Sequence, residues 1–265
     1  PDRHGRLGET AFITPTETLR LICPELQLSD ICPYRGLAAF TEADARFFHG
    51  RTALIQRLVE SLKRQPRFLA VLGPSGSGKS SLVQAGLIPA LRKGAILGSE
   101  NWHFFAIRPG ENPFKELAAI GLPDADAGLV VALQKWNSEH PQAYPVILLD
   151  QFEELFTATS PETRQAFLGQ LAELLESDLP VTLIITMRDD FFSAFTQQSP
   201  AMVRWLESGQ VIVPLRLNRD ELRQMILFPS AMVGIHFEAG LVETLIDDVT
   251  AGEVEGASTL LPLLE

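Results

Sequence analysis

At 265 residues, with 46% hydrophobic and 21% charged residues, the chain has the composition of a globular protein and the length of one large domain or two smaller ones. Its formal net charge of −11 argues against nucleic acid as the main ligand, because that affinity comes from Lys and Arg neutralising phosphates. The apolar runs are strand-length and far below the ~20 residues that span a bilayer, so no membrane role is expected.

Residues 1–35 are rich in Pro, Gly, Arg and Thr without a sustained period, and read as a linker or an N-terminal extension. Pro1 in first place and a helix-like run that stops at Glu265 fit a piece taken from a longer protein. Thr41 can cap a helix that starts near Glu42. Leu54, Ile55, Leu58, Val59 and Leu62 recur at helical spacing over residues 52–64, and Pro66 closes that helix.

Strands and helices then alternate. Apolar strands are expected at 68–72, 102–107, 146–149, 181–186 and 210–213, with helices from Lys79, from Pro113, over 127–140 and over 161–177. Continuous apolar strands separated by helices predict a parallel sheet covered on both faces. From Pro214 onward the pattern is helical only. Asn218 and Glu221 form a capping box for a helix over 219–228, a second helix covers 239–250, and a third starts at Leu261. The expected division is therefore a P-loop domain over 36–215 and a small all-α subdomain over 216–265, cut short at its C-terminal end.

The run Gly73-Pro74-Ser75-Gly76-Ser77-Gly78-Lys79-Ser80 matches G-x-x-x-x-G-K-[ST] at every fixed position and lies between a strand and a helix. Its glycines let backbone N–H groups turn inward around a phosphate, beside the positive end of the next helix, and Ser81 continues that turn. Lys79 would reach the β- and γ-phosphates and Ser80 would ligate Mg²⁺. A second magnesium ligand should sit at another strand tip, and Asp150 after Val146-Ile147-Leu148-Leu149 provides it. Glu153 and Glu154 follow, either of which could orient the attacking water, with Glu153 favoured; a solvated helix start is the alternative. The strand at 102–107 is additional between Lys79 and Asp150. The strand at 181–186 should then lie between the P-loop strand and the Asp150 strand, giving the order 5-1-4-3-2. Arg188 directly after it would point at the γ-phosphate, or else pair on the surface with Asp189 or Asp190. ATP or ADP with Mg²⁺ is the expected ligand.

Phe47-Phe48-His49-Gly50-Arg51, Asp150-Gln151-Phe152-Glu153-Glu154, Thr186-Met187-Arg188 and Leu261-Pro262 occur in the order seen in STAND NTPases, within the ASCE/AAA-like division. Tyr34-Arg35-Gly36-Leu37, Arg108-Pro109-Gly110 and the run from Asp150 to Phe156 resemble the bacterial novel STAND branch, over about residues 32–265. The resemblance implies that Gly50 and Arg51 hold the base and phosphates from the N-terminal side. It also implies that Arg188 senses the γ-phosphate and that Pro262 packs on adenine. That family has a glycine just before its Leu-Pro pair, whereas the nearest glycine here is Gly256; read without the resemblance, Pro262 is a first-turn helix proline.

The resemblance further implies a slowly hydrolysing ATPase that gates signalling or defence, with an effector domain N-terminal to this piece, sensor repeats C-terminal to it, and homo-oligomerisation on activation. A motor-type ATPase and a nucleotide-locked scaffold are the competing functions. Cys23 and Cys32 are too few for a disulfide framework and read as reduced thiols of a cytoplasmic protein. Phe191, Phe192 and Trp205 are expected as core anchors.

Overall fold

A computed structural model describes residues 32–36 and 38–252. Pro262, Cys23, Leu37 and the helix expected from Leu261 lie outside the described residues.

Five strands form one sheet: β1 (Phe68–Gly73), β2 (Trp102–Ile107), β3 (Tyr144–Leu149), β4 (Thr182–Arg188) and β5 (Gln210–Ile212). Every pairing is parallel and the order is β2-β3-β4-β1-β5, which is the expected 5-1-4-3-2. A parallel sheet needs both faces covered, and the pleat supplies one set of side chains to each. Phe68, Ala70 and Leu72 of β1 enter one core with Phe105, Leu149, Ile185 and the fully buried Phe167 and Phe195. Leu69 and Val71 enter the other with Val146, Leu148 and Ile184.

Helix α1 (Thr52–Arg64) covers the second face through Leu54, Leu58, Val59 and Leu62. Helix α2 runs end to end through Lys79–Ser81, Leu82–Leu87 and Ile88–Arg92, and its middle part has π rather than α geometry. The first face is covered by α3 (Pro113–Ala119), α4 (Leu129–Glu139) and α6 (Pro161–Glu176). Capping residues fix where two of these start: Asn112 accepts from the amides of Phe114 and Lys115, and Ser160 from that of Thr163.

Three short helices lay outside the expected elements: α5 (Glu154–Thr157), weighed only as the alternative helix start at Glu153 and Glu154, α7 (Phe192–Gln198) and α8 (Val203–Gly209). Each is too short for a 3.6-residue period to show. Phe191, Phe192 and Trp205 are half-buried and pack on the rim of the first core, whereas Phe195 is the ring that enters it.

After β5 come α9 (Arg219–Met232) and α10 (Leu241–Gly252), with their own small core of Leu217, Leu222, Ile226, Ile246 and Val249. The Asn218–Glu221 capping box is present. Helix α9 continues four residues past the expected end at 228, through Pro229. Proline deprives the Met225 carbonyl of its intrahelical donor, but Leu222, Ile226 and Pro229 are all buried and their packing holds the helix together. Arg219 and Arg223 of α9 share the carboxylate of Glu243 on α10.

Candidate functional site

The C-terminal ends of the four adjacent strands β2, β3, β4 and β1 line one edge of the sheet, and the chemistry-bearing residues emerge there. Leu149 pairs with Ile107 on one side and Ile185 on the other, so Asp150 is level with Arg108 and Thr186. Gly73 pairs with Arg188, so the start of the P-loop abuts the end of β4.

Gly76 and Gly78 take φ of +73° and +81°, a region that side chains with a Cβ avoid, and this wraps the loop into the start of α2. Lys79 is buried, and its ammonium donates to the carbonyls of Gly73 (2.9 Å) and Pro74 (2.8 Å). Burial pulls its pKa below the usual lysine range, while the carboxylates of Glu153, Asp189 and Asp150 oppose the shift. The hydroxyl of Ser77 is buried without a partner among the described residues.

Asp150 is also buried and holds a compact polar cluster. Its Oδ1 accepts from Ser80 Oγ and from Thr186 Oγ1, each at 2.6 Å, and its Oδ2 accepts from Gln84 Nε2 at 3.1 Å. Arg108 Nε lies 3.7 Å from Oδ2. A hydroxyl and a carboxylate oxygen in contact are a donor pair that suits Mg²⁺, a hard cation that takes few protein ligands beside phosphate oxygens and water.

Next to this cluster lies a cavity of about 290 Å³. Ser75, Gly76, Gly78, Lys79, Ser80 and Ser81 of the P-loop line one side, with Glu153, Thr186 and Arg188 from the ends of β3 and β4 beside them. The two consecutive glutamates part company here. Glu153 borders the cavity and its Oε2 accepts the Arg188 amide at 3.2 Å. Glu154 does not border it; its Oε2 accepts the Gly110 amide at 3.3 Å, and Thr159 Oγ1 donates to the Gly110 carbonyl at 2.6 Å. Arg188 lines the cavity and is also gripped by Asp190, the surface pairing expected as the alternative.

The far side of the cavity belongs to the segment before α1 and to α9. Arg51 is 3% exposed; one guanidinium nitrogen, Nη2, donates to the Ser77 carbonyl at 3.4 Å and Nη1 is buried with no partner among the described residues. Burial pulls its pKa down and Glu221 pulls it back up. A buried guanidinium with an unmet donor beside a P-loop fits an anion. Tyr34, Phe40, Phe48 and His49 give apolar and aromatic surface suited to a base, with Met225 and Ile226 of α9 opposite. Tyr34 Oη donates to the Ile226 carbonyl at 2.5 Å, and the Phe40 amide donates to Ser81 Oγ at 3.0 Å. Gly50 lies behind this surface at φ +77°, where a Cβ would stand 2.5 Å from the Glu221 carbonyl oxygen.

The structure thus brings together the P-loop, Asp150, Glu153, Arg188 and Arg51, and places Glu154 outside. Sequence reasoning passed over Thr186, Gln84 and Arg108 as partners of Asp150. Thr186 carried a signal, being a hydroxyl at the end of an otherwise apolar strand. Arg108 carried one too, since it follows β2 as Asp150 follows β3. Gln84 carried none; it reaches Asp150 from the π-helical part of α2.

The family model described as Novel STAND NTPase 1 matches residues 33–265, and the chain belongs to that family. No curated protein sequence matches. Among solved structures, the Walker-type ATPase PABY2304 of Pyrococcus abyssi is similar with a TM-score of 0.53 and 19% identity, over 86% of this chain and 68% of that one. The Aeropyrum pernix ORC2 protein, solved in ADPNP–ADP complexes, has a TM-score of 0.56 and 15% identity over 81% of this chain and 60% of its own. Hsp104 of S. cerevisiae, in a complex with casein, has a TM-score of 0.56 and 14% identity over 81% of this chain and 35% of its own. At these identities the likeness establishes the fold, a Walker-type ATPase α/β sheet.

Proposed function

We propose that this member of the Novel STAND NTPase 1 family binds ATP with Mg²⁺, hydrolyses it slowly, and uses the nucleotide to set how the α9–α10 pair sits against the P-loop sheet. The observation that carries this reading is the cavity itself, which has P-loop, Glu153 and Arg188 on one side and Met225 and Ile226 of α9 on the other. A ligand that fills it touches both parts, so it can bias their arrangement.

The roles follow from placement. Backbone amides of the P-loop and the N-terminus of α2 bind phosphate oxygens, and Lys79, kept close by the Gly73 and Pro74 carbonyls, adds charge to the same region. Ser80 and Asp150 would hold Mg²⁺, which screens phosphate charge when bound. Glu153, whose carboxylate accepts the Arg188 amide, would take a proton from water. Arg188 would sense the terminal phosphate, and Arg51 would meet the phosphates from the opposite wall. We assign residues 36–215, with Tyr34 just before them, to the nucleotide-binding domain, and α9 and α10 to the part that moves. Homo-oligomerisation, a fused effector, a fused sensor and a cytoplasmic signalling or defence role complete the proposal by the resemblance to STAND NTPases.

Among the described residues no helix is long and apolar enough to cross a membrane. The motor and scaffold readings differ in turnover, one predicting fast, polymer-stimulated hydrolysis and the other none. Denaturing the purified protein and identifying the released nucleotide, then titrating ATP into Lys79→Ala, tests the proposal. Bound ADP or ATP, with affinity lost in the variant, is expected. Guanine nucleotide, or unchanged affinity in Lys79→Ala, would sink it.

A further inference from the structure

Arg188 and Asp190 are two residues apart, yet only the arginine borders the cavity. Asp190 grips it from the solvent side. Oδ1 accepts from Nε at 3.0 Å and Oδ2 accepts from Nη2 at 2.5 Å, the paired geometry in which a carboxylate fixes both position and plane of a guanidinium. The Phe191 ring lies 5.4 Å from Cζ and adds a cation–π contact. This grip uses the Nε edge, and Nη1 has no protein partner among the described residues. An arginine side chain on a surface ordinarily samples many rotamers; here one carboxylate, one aromatic face and the Arg188 amide bound to Glu153 restrict it.

We infer that Asp190 is a positioning residue, which holds Arg188 so that its remaining donor edge meets the terminal phosphate of a nucleoside triphosphate. The inference rests on the proposed role of Arg188 and adds to it a second residue that never touches the ligand. An exposed ion pair of this kind contributes little to stability, since the two side chains are 40% and 54% exposed. Its consequence is instead discrimination: if Arg188 meets the terminal phosphate, a diphosphate lacks the group it binds, and only triphosphate binding depends on the orientation that Asp190 imposes.

The test is equilibrium titration of the chain with the magnesium complexes of a non-hydrolysable ATP analogue and of ADP, together with the melting temperature of each variant. Arg188→Ala is expected to weaken triphosphate binding about tenfold or more and to leave ADP binding within about twofold. Asp190→Asn is expected to weaken triphosphate binding about three- to tenfold, with ADP binding and melting unchanged, and Asp190→Glu to restore most of the loss. If Arg188→Ala leaves the ratio of the two affinities unchanged, the γ-phosphate role of Arg188 falls and this inference with it. If Arg188→Ala lowers the ratio but Asp190→Asn does not, or raises it, the inference alone is overturned. An equal loss for both nucleotides in Asp190→Asn, with a lowered melting temperature, would mean that Asp190 only supports the fold, and would overturn it as well.

Discussion

The carboxylate of Glu154 accepts the backbone amide of Gly110 across 3.3 Å, which ties the start of α5 to the loop that follows β2. Its neighbour Glu153 accepts the amide of Arg188 and borders the cavity. Two adjacent acids therefore serve different elements.

Glu153→Gln is expected to lower the hydrolysis rate by about 100-fold or more, the usual loss on removing a general base, with nucleotide affinity little changed. Glu154→Gln keeps an oxygen that can accept from Gly110, and should stay within about threefold of the parent. Steady-state phosphate release measured beside nucleotide titration separates the two. Equal losses in both variants would contradict the assignment.

Gly50→Ala should cost about 2–4 kcal/mol, from a left-handed backbone combined with a Cβ 2.5 Å from the Glu221 carbonyl oxygen. Gly98→Ala is the control, since Gly98 also has positive φ (+83°) but open space around it; only about 1 kcal/mol is expected there. Urea unfolding reads both values. Protease cleavage between β5 and α9 should speed up in Gly50→Ala alone, because the clash is with α9.

Tyr34→Phe removes the donor to the Ile226 carbonyl. That carbonyl keeps the hydroxyl of Ser230 at 3.1 Å, so the expected cost is about 1 kcal/mol rather than that of a stranded group. Burial raises the Tyr34 pKa further above neutrality. Nucleotide affinity should fall a few-fold, because the bond joins two walls of the cavity. Calorimetric titration of the variant checks this, and an unchanged affinity would detach Tyr34 from the binding surface.

Acid should destabilise the fold below about pH 6.5, in part through His49. Burial pushes its pKa down, with a hydrogen bond to the Arg46 backbone opposing. The folded state thus refuses a proton that the unfolded chain accepts. Stability is fully present above the unfolded value, and falls as the pH drops toward the depressed folded value. His103 is held down by burial too, with His140 and Arg92 adding to it. Urea midpoints at pH 7.0 and 5.5 should therefore converge partly in His49→Asn, and further when His103 is also replaced.

Much of this was readable from the sequence, for a physical reason. The P-loop is contiguous, so its function is written in consecutive residues, and buried parallel strands declare themselves as apolar runs. Asp150 was found because it directly follows such a run, and Arg188 because it stands at the end of another. What stayed hidden depends on contacts between distant segments. The sequence favours Glu153 over Glu154 only by position, since their surroundings differ by which of the Arg188 and Gly110 amides each meets. The bond from Tyr34 to Ile226 spans 192 positions and carries no local mark. The end of α9 was placed at Phe228 because proline ordinarily stops a helix, and the packing that overrides it is tertiary.

The alignment of four strand ends along one edge limits how the chain can change length. One residue added within β3 or β4 would displace everything after it by about 3.3 Å and turn it to the other side of the sheet, carrying Asp150 or Arg188 out of reach. The turn at 93–98, which leads into the opposite end of β2, carries no such burden; Leu97 there is fully exposed. Insertions and deletions among relatives should therefore collect at that far rim, and the same turn is the place to graft a reporter or an affinity tag without disturbing the nucleotide.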